Sequence, residues 1–320
     1  MSTIASGQQQ PWLLIDTSRS SELRFASVTP STHPIVSQVT SIPIDGLPTF
    51  TDALQRYERE SGIPLKGREC VIGMAGAAQG EMLSMVRSRW TITRGGLAAV
   101  FGHPVHVLND VASMAWATRS AGLRAEAIRG IGQPTMTRVG RMAMILVEEG
   151  VGACAIDVST EGRARILETE SGHLDFAPSN EREDKLARTL KGANPFVSWE
   201  RMLTLDPDDP AWRDACPELV THERLRLQSA MLGRFVVNMI HAYGAWQGVM
   251  VTGSRAGRLL SNEHRAAFDS AFTAKRNFSR LLMGAPVWRA DLREPVLTGA
   301  AEMMAQRYTA ALAADRQAAA

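Results

Sequence analysis

The order of secondary-structure signals in this chain repeats, and the repeat is the strongest constraint on its fold. Three strands, a helix and a further strand are predicted between Trp12 and Met74. After a connector from Gly122 to Gly140 that contains Gly and Arg, a similar series begins at Met142 and reaches another strand at Gly248 to Gly253. At 320 residues the chain is also long for one core. We therefore predict two α/β domains that face one another across a cleft.

Strands are predicted at short apolar or alternating runs, and helices where capping residues precede an amphipathic pattern. The predicted strands are Trp12 to Ile15, Arg24 to Val28, Ile35 to Ile42, Cys70 to Met74, Pro104 to Leu108, Met142 to Val147, Ala153 to Val158, Ala164 to Glu168, Gly248 to Gly253 and Pro286 to Ala290. The predicted helices are Thr49 to Ser61, Leu97 to Phe101, Val111 to Ala121, Asn180 to Lys191, Ser198 to Leu205, Glu218 to Tyr243 and Thr298 to Ala313. Ligands gather at strand ends in such sheets. Asp16, Asn109-Asp110, Glu149 to Gly152 and Gly253 are at such ends.

Charge and cysteine content exclude several classes of protein and partner. The formal net charge is +2 and 21% of the residues are charged, so neither nucleic acid nor a membrane is a predicted partner. Cys70, Cys154 and Cys216 lie far apart, which favours a reducing compartment and a packing role. Residues 1–11 lack the regions of a signal peptide and are predicted to form a loose tail. No apolar run approaches the roughly 18 residues that span a bilayer, and we predict a soluble cytoplasmic protein.

The stretch from Glu170 to Phe196 carries the densest chemistry in the chain. Glu170, His173 and Asp175 fall within six residues around Gly172, a composition that suits neither a regular helix nor an alternating strand. Because glycine permits backbone bends that other residues resist, these polar side chains can converge on one small ligand. A solvated turn ahead of a charged helix is the alternative interpretation.

Three motifs in this order resemble the bacterial glucokinase family. They are L-N-D at Leu108 to Asp110, E-S-G-H-L-D-F-A-P-S-N-E-R-E from Glu170 to Glu183, and V-S-W-E-R-M-L from Val197 to Leu203. The family's own versions read L-N-D, E-G-G-H-V-D-F-A-P and V-S-A-E-R-V-L. The resemblance covers roughly Val71 to the C-terminus.

The resemblance implies a two-domain hexokinase/actin-like α/β fold, which is a duplicated ribonuclease H-like unit with an interdomain cleft. It divides the chain into a small domain, 12–110 with about 299–320, and a large domain, 111–298. It further implies an ATP-dependent hexose 6-phosphotransferase of glycolysis that uses Mg-ATP, with glucose as the expected hexose and a homodimer as the family's usual assembly.

The family's sugar-binding positions correspond to Asn109, Asp110, Glu170, His173 and Glu200, and each has the expected residue type. The resemblance makes Asp110 the catalytic base on the sugar 6-hydroxyl as that oxygen attacks the γ-phosphorus of ATP. The other four residues would hold the remaining hydroxyl groups. Taken alone, Asn109-Asp110 is also an ordinary N-cap, His173 a structural histidine and Glu200 a surface helix residue.

The first phosphate loop departs from the family pattern. The family has D-x-G-G-T-N after the first strand, whereas this chain has D-T-S-R-S-S, with Ser18 and Arg19 in place of the two glycines. Phosphate loops use glycine so that backbone N–H groups can approach the phosphates closely. Asp16 remains and is the predicted indirect ligand of Mg²⁺, while Ser18 and Arg19 are the predicted phosphate contacts.

The second phosphate loop and the adenosine segment are only partly retained. G-x-G-T-G-L-G of the family aligns with Val147 to Ala153, which keeps Gly150 and Gly152 but gains two carboxylates at Glu148-Glu149. Carboxylates near a triphosphate disfavour its binding through like-charge repulsion. The adenosine segment is half retained and keeps Gly253.

Two functions remain open on these residues. The first is a glucokinase with an unusual nucleotide loop, and the second is a catalytically weak or inactive homologue that binds sugar as a sensor or regulator. A sugar-responsive DNA-binding repressor is a weaker third alternative, because no helix-turn-helix pattern precedes the first strand.

Overall fold

The computed structural model describes residues 10–76, 78–85, 90–134, 138–274 and 277–319. Residues 1–9 of the predicted tail lie outside this part of the chain. The described residues form two compact units by the clustering of their contacts. The first unit contains the chain up to Leu123 together with the segment from Leu292 onward, and the second contains Arg124–Asp291.

The elements are numbered along the chain. The first unit begins with β1 (Trp12–Asp16), β2 (Glu22–Val28), β3 (Thr40–Pro43), α1 (Phe50–Ser61), β4 (Cys70–Met74), β5 (Met82–Ser84), β6 (Thr91–Thr93), α2 (Arg94–Phe101), β7 (His106–Asn109) and α3 (Asp110–Ala117). The second unit contains β8 (Arg124–Arg129), β9 (Gly140–Val147), β10 (Val151–Val158), β11 (Ala164–Thr169), α4 (Glu181–Lys191), α5 (Trp199–Leu203), α6 (Pro210–Ala215), α7 (Thr221–Tyr243), β12 (Val249–Thr252), α8 (Ser254–Leu259), α9 (Arg265–Thr273), α10 (Ser279–Gly284) and β13 (Val287–Asp291). The chain then returns to the first unit in α11 (Pro295–Ala319).

The main sheet of the first unit has the strand order β3-β2-β1-β4-β7. β1 is antiparallel to β2 and parallel to β4, and β4 is parallel to β7. Both β1 and β4 are fully buried, as their uninterrupted apolar sequences predict. Because β1, β4 and β7 run in the same direction, Asp16 and Asn109 both emerge at the carboxyl edge of this sheet.

The sheet of the second unit repeats that order and adds one edge strand, as β11-β10-β9-β12-β13-β8. β9 is antiparallel to β10 and parallel to β12, and β12 is parallel to β13. The strands predicted at Ala153 to Val158 and Ala164 to Glu168 correspond to β10 and β11, which pair along their length as an antiparallel hairpin. The duplicated order predicted from the sequence is therefore confirmed within each unit.

Several predicted elements differ from the structure. The strand expected over Ile35 to Ile42 shortens to β3, because β2 supplies pairing partners only from Glu22 to Phe25. The segment from Gly122 to Gly140, interpreted as a connector, contains β8. This strand was missed because it is an antiparallel edge strand with several charged side chains and a single buried residue, Ile128.

The division between the units also differs from the domain boundaries expected from the sequence. Those boundaries lay after Asp110 and near residue 299, whereas the contacts change at Leu123 and Leu292. The reason is that α3 packs against α11. Ser113 of α3 donates a hydrogen bond of 2.7 Å to the carbonyl of Val296 in the first turn of α11. Within the described residues, no helix has both the length and the apolar character needed to cross a membrane.

Glu302 on α11 is a buried carboxyl group that makes the stability of the first unit depend on pH. It is 6% exposed, and burial raises its pKa from 4.5 to about 7, against a smaller opposing effect of Arg119. A carboxyl group whose pKa is higher in the folded state destabilises the fold once it ionises, so stability falls as the pH rises from about 4.5 to about 7. In the Glu302→Gln variant we expect the free energy of unfolding to fall by up to about 3 kcal/mol less over this pH range than in the unsubstituted protein.

Urea denaturation of the Glu302→Gln variant and of the unsubstituted protein, each at pH 5 and pH 8, measures this effect. Asp315→Asn, an exposed position on the same helix, is the control and is expected to change nothing. Equal losses of stability between the two pH values in Glu302→Gln and in the unsubstituted protein would contradict the prediction.

Candidate functional site

The turn after β11 is held close against the start of β10. Residues Ser171–His173 form one turn of 3-10 helix, and Ser171 and Gly172 are buried. A Cβ atom at Gly172 would collide with the carbonyl oxygen of Val151, so only glycine permits this close approach. The glycine of the E-S-G-H motif therefore places Glu170 and His173 beside the β9–β10 loop.

A second contact brings α5 to the same turn. Phe176 donates its backbone N–H to the carbonyl of Val197 at 2.7 Å, and Trp199 donates to the carbonyl of Leu174 at 3.0 Å. Asp175 and Ser198 form an isolated antiparallel bridge between these bonds. The two family motifs are thus joined by backbone pairing.

Glu170, His173 and Glu200 come together at this turn. His173 Nε2 lies 3.8 Å from Glu170 Oε2, and His173 Nδ1 lies 3.9 Å from Glu200 Oε1. The side chains of Glu170 and His173 are more than half exposed. Glu200 is less exposed, and its Oε2 accepts a hydrogen bond of 2.9 Å from the backbone N–H of Val151. The arrangement presents two carboxylates and an imidazole to solvent, which suits a ligand with several hydroxyl groups.

The loop between β9 and β10 contributes to the same region. Gly150 precedes Val151, and a Cβ atom at Gly150 would lie 3.0 Å from Glu200 Oε2. Gly152 lies within β10 and pairs with Leu146. In this structure both predicted phosphate-loop glycines thus belong to the hairpin that supports Glu200.

A partly buried group of three hydroxyls beneath the turn was not predicted from the sequence. Thr169 Oγ1 lies 2.5 Å from the Tyr243 hydroxyl, 2.9 Å from Ser171 Oγ and 2.7 Å from the carbonyl of Ala153, to which it donates. Ser171 also hydrogen-bonds Tyr243. Burial raises the pKa of Tyr243, while the bonds to Ser171 and Thr169 lower it in part. This network ties the turn to the end of α7, and no local sequence pattern identifies Tyr243 as its partner.

A buried ion pair holds the far end of the segment that runs from the turn at Ser171–His173 to the start of α4. Glu183 is fully buried and accepts two hydrogen bonds from the Arg234 guanidinium, at 2.8 and 2.6 Å, and another from the backbone N–H of Ser179 at 2.8 Å. Arg234 also lies over the rings of Phe176 and Trp199, at 5.7 and 5.8 Å from their centres. In the sequence, only the presence of Glu183 in the family motif pointed to this ion pair.

Asn109 and Asp110 lie side by side in the first unit, at the junction of β7 and α3. Asn109 Oδ1 accepts hydrogen bonds from the backbone N–H groups of Val111 and Ala112, at 2.9 and 3.2 Å. Its Nδ2 donates to the carbonyl of Gly76 at 3.1 Å. Asn109 is therefore an N-cap, and the cap fixes the backbone from which half-buried Asp110 projects.

The side chains of the first predicted phosphate loop have hydrogen-bond and ion-pair partners within the protein. Asp16 is buried, accepts a hydrogen bond from the backbone N–H of Ser18 at 2.8 Å, and has Oδ2 3.8 Å from Arg24 Nη1. Burial lowers the pKa of Arg24, and the charge of Asp16 opposes that shift. Exposed Arg19 pairs with Glu22 at 3.0 Å.

The second predicted phosphate loop places a carboxylate at the start of α8. Glu148 accepts hydrogen bonds from the backbone N–H and the hydroxyl of Ser254, at 2.7 and 2.8 Å. Gly253 has a φ of +107°, and a Cβ atom there would crowd the carbonyl of Val147 and the side chain of Glu148. Glu148 thus accepts the backbone N–H of Ser254, the residue that follows β12 and Gly253 in the predicted adenosine segment.

The sequence model of the glucokinase family matches residues 20–204 and 211–307. The chain belongs to the glucokinase family. Among its relatives, the glucokinase of Xylella fastidiosa (strain 9a5c) is 25% identical over 323 residues, covering 92% of this chain and 94% of the relative.

Solved glucokinases share the fold of this family member. The glucokinase from an Antarctic psychrotroph has a TM-score of 0.74 at 20% identity and covers 93% of this chain and 99% of its own. The glucokinase from Balamuthia mandrillaris, solved in complex with glucose, has a TM-score of 0.72 at 14% identity and covers 95% of each chain. The resemblance and the α/β two-domain hexokinase/actin-like fold predicted from the motifs are confirmed. The roles of the individual site residues stay predictions.

Proposed function

We propose that this chain binds an aldohexose, with glucose as the first candidate, and transfers a phosphoryl group to its 6-hydroxyl. The convergence of Glu170, His173 and Glu200 on one exposed surface is the observation that supports the sugar site. Membership of the glucokinase family supports the reaction. The glucose complex of the Balamuthia mandrillaris glucokinase supports the choice of sugar. Cytoplasmic location, a role in glycolysis and a homodimer belong to the same proposal.

The three converging side chains are assigned to hydroxyl groups of the sugar. Carboxylates accept hydrogen bonds, and a neutral imidazole both donates and accepts, so together they distinguish hydroxyl orientations. A site built in this way discriminates strongly against ligands that lack a hydroxyl, because its polar groups are then left unpaired. Glu200 is the best anchored of the three, since Val151 holds its second oxygen.

Asp110 is assigned as the general base. It accepts the proton of the 6-hydroxyl as that oxygen attacks the phosphorus of the donor, a role that contributes typically about 10²- to 10⁴-fold in rate. Asn109 caps α3 and thereby holds the backbone of Asp110.

Calorimetric titration with glucose, mannose and galactose tests the sugar site. Glu200→Gln keeps an oxygen acceptor for Val151 but loses the carboxylate charge, and we expect it to weaken sugar binding by about 10- to 100-fold. Glu218→Gln, an exposed glutamate paired with Arg182, is the matched control and is expected to bind normally. An unsubstituted protein that binds none of these sugars at millimolar concentration would refute the proposal.

Mg-ATP is the phosphoryl donor that the family implies, and the residues on the nucleotide side do not fit it as they are arranged. A phosphate site needs free backbone N–H groups, but Glu148 binds that of Ser254. Asp16, the predicted indirect ligand of Mg²⁺, is close to Arg24, and Ser18 donates to it. These contacts would have to change before the first and second loops could hold a triphosphate.

The contact between Glu148 and Ser254 favours a second candidate function. In it the chain binds sugar but is a weak or inactive kinase that acts as a sensor or regulator. Calorimetric titration with Mg-ATP, with and without sugar, separates the two candidates. Nucleotide binding that sugar strengthens supports the kinase, whereas sugar binding without any nucleotide binding supports the sensor.

A further inference from the structure

Two histidines and a glutamate of the second unit meet away from the residues assigned to sugar or nucleotide. His222 lies in the first turn of α7, and Glu263 and His264 lie immediately before α9. His222 Nε2 is 3.4 Å from Glu263 Oε1, and His264 Nε2 is 3.9 Å from Glu263 Oε2. The two imidazole rings lie 5.1 Å apart between centres.

The spacing of these ligand atoms is close to that of a tetrahedral zinc site. Zinc binds imidazole nitrogen and carboxylate oxygen at about 2.0–2.2 Å, which separates neighbouring ligand atoms by roughly 3.3–3.6 Å. One ligand atom from each of the three residues lies within 4.8 Å of the other two. His222 and Glu263 are exposed, so their side chains have room to rotate toward a shared ion.

His264 provides the fixed member of the group. It is 3% exposed, and its backbone carbonyl accepts a hydrogen bond of 3.1 Å from the buried hydroxyl of Ser229 on α7. Its Nδ1 is buried without a hydrogen-bond partner among the described residues. The other ring nitrogen, Nε2, lies 3.9 Å from Glu263 Oε2 and is the atom that would bind the metal.

We propose that His222, Glu263 and His264 form a zinc site that ties the start of α7 to the segment before α9. The ligand set of two imidazoles and one carboxylate is one that zinc accepts, and it leaves a fourth position for water. Since α7 and α9 pack against each other, a shared metal ion crosslinks two neighbouring helices of the second unit. The site is independent of the function proposed above.

The surrounding charge sets the expected affinity. Arg226 and Arg258 lie close enough to His264 for their charges to act on its ring. Positive charge disfavours a bound cation, and two of the three ligand side chains must lose rotamer freedom on binding. We therefore expect micromolar binding of one zinc ion per chain.

Calorimetric titration of the untagged, chelator-treated full chain with Zn²⁺ tests the proposal. The expected result is one ion per chain, with a thermal midpoint raised by about 3 °C or more at saturation. His222→Ala and Glu263→Gln change exposed side chains, which keeps the fold, and each is expected to weaken Zn²⁺ binding by about tenfold or more.

Two further histidine variants are controls. His33→Ala changes an exposed histidine of the first unit, and His173→Ala changes a histidine of the proposed sugar site. Both variants are expected to bind Zn²⁺ like the unsubstituted chain. The proposal is overturned if the chain binds no Zn²⁺ at micromolar concentration, or if either His222→Ala or Glu263→Gln binds it with unchanged affinity.

Discussion

Replacing Asp110 with asparagine lowers kcat for hexose phosphorylation by about 10²- to 10⁴-fold, if Asp110 is the general base. Asparagine has the same shape and keeps the oxygen that accepts the backbone N–H of Val111 at 2.8 Å. It cannot take up the proton of the 6-hydroxyl, so the loss is in the chemical step. Sugar affinity, measured by calorimetry, is expected to change by no more than a few-fold. A coupled assay of ADP release over a range of glucose concentrations measures kcat and KM separately.

The control for Asp110→Asn is Asp45→Asn, which removes an exposed carboxylate of the same unit. We expect the control to retain full turnover, and both variants to keep the thermal midpoint of the unsubstituted protein. Turnover in Asp110→Asn equal to that of the control would show that another group takes the proton. Normal sugar binding without turnover in the unsubstituted protein would instead indicate the sensor.

Glu183→Ala destabilises the protein by about 3–5 kcal/mol. The substitution leaves the Arg234 guanidinium largely buried without its carboxylate, and such an unpaired buried charge is costly. The backbone N–H of Ser179 also loses its acceptor. Because Arg234 contacts Phe176 and Trp199 as well, the loss should loosen the loop that carries Glu170 and His173. Chemical denaturation measures the stability, and calorimetry reports the accompanying loss of sugar affinity.

Glu181→Ala on the same helix is the matched control. Glu181 is 79% exposed and pairs with Lys185 at 2.8 Å, one turn further along α4. Exposed pairs of this kind contribute about 0.3–0.5 kcal/mol, so the two substitutions are expected to differ by several kcal/mol. A double variant, Glu183→Leu with Arg234→Met, is expected to be more stable than Glu183→Ala because neither charge is then left unpaired. Equal stabilities of Glu183→Ala and Glu181→Ala would contradict this account.

Local sequence patterns predicted most of the elements near the candidate site. The apolar runs ending at Asp16 and Met74 are buried strands, and the helix predicted from Thr49 to Ser61 is capped by Thr49 and ends before Gly62. Asn109 is both an N-cap and part of a family motif, and the structure shows the cap directly. These features depend on residues only a few positions apart, which is the range over which hydrophobic periodicity and helix capping operate.

Other features of the site depend on residues far apart in the sequence. Nothing near Glu170 indicates that Tyr243 lies beneath its turn, and nothing near Glu148 indicates that Ser254 is its partner. The strand β8 was missed for the same reason, since its pairing with β13 joins residues more than 150 positions apart. Hydrophobic periodicity and helix capping are local patterns and carry no information about such partners. The partners are decided only when separate elements pack together.

The sequence by itself determined the duplicated α/β order, the glucokinase motifs and the residue types available to bind a sugar. It also showed that the first of the two predicted phosphate loops has Ser18 and Arg19 in place of the family's glycines. Only the tertiary structure decided that Glu170, His173 and Glu200 lie together, because backbone pairing across the loop joins their two motifs. It likewise decided that Glu148 binds Ser254 and that Asp16 lies beside Arg24, since the pairing of β9 with β12 and of β1 with β2 places these residues side by side.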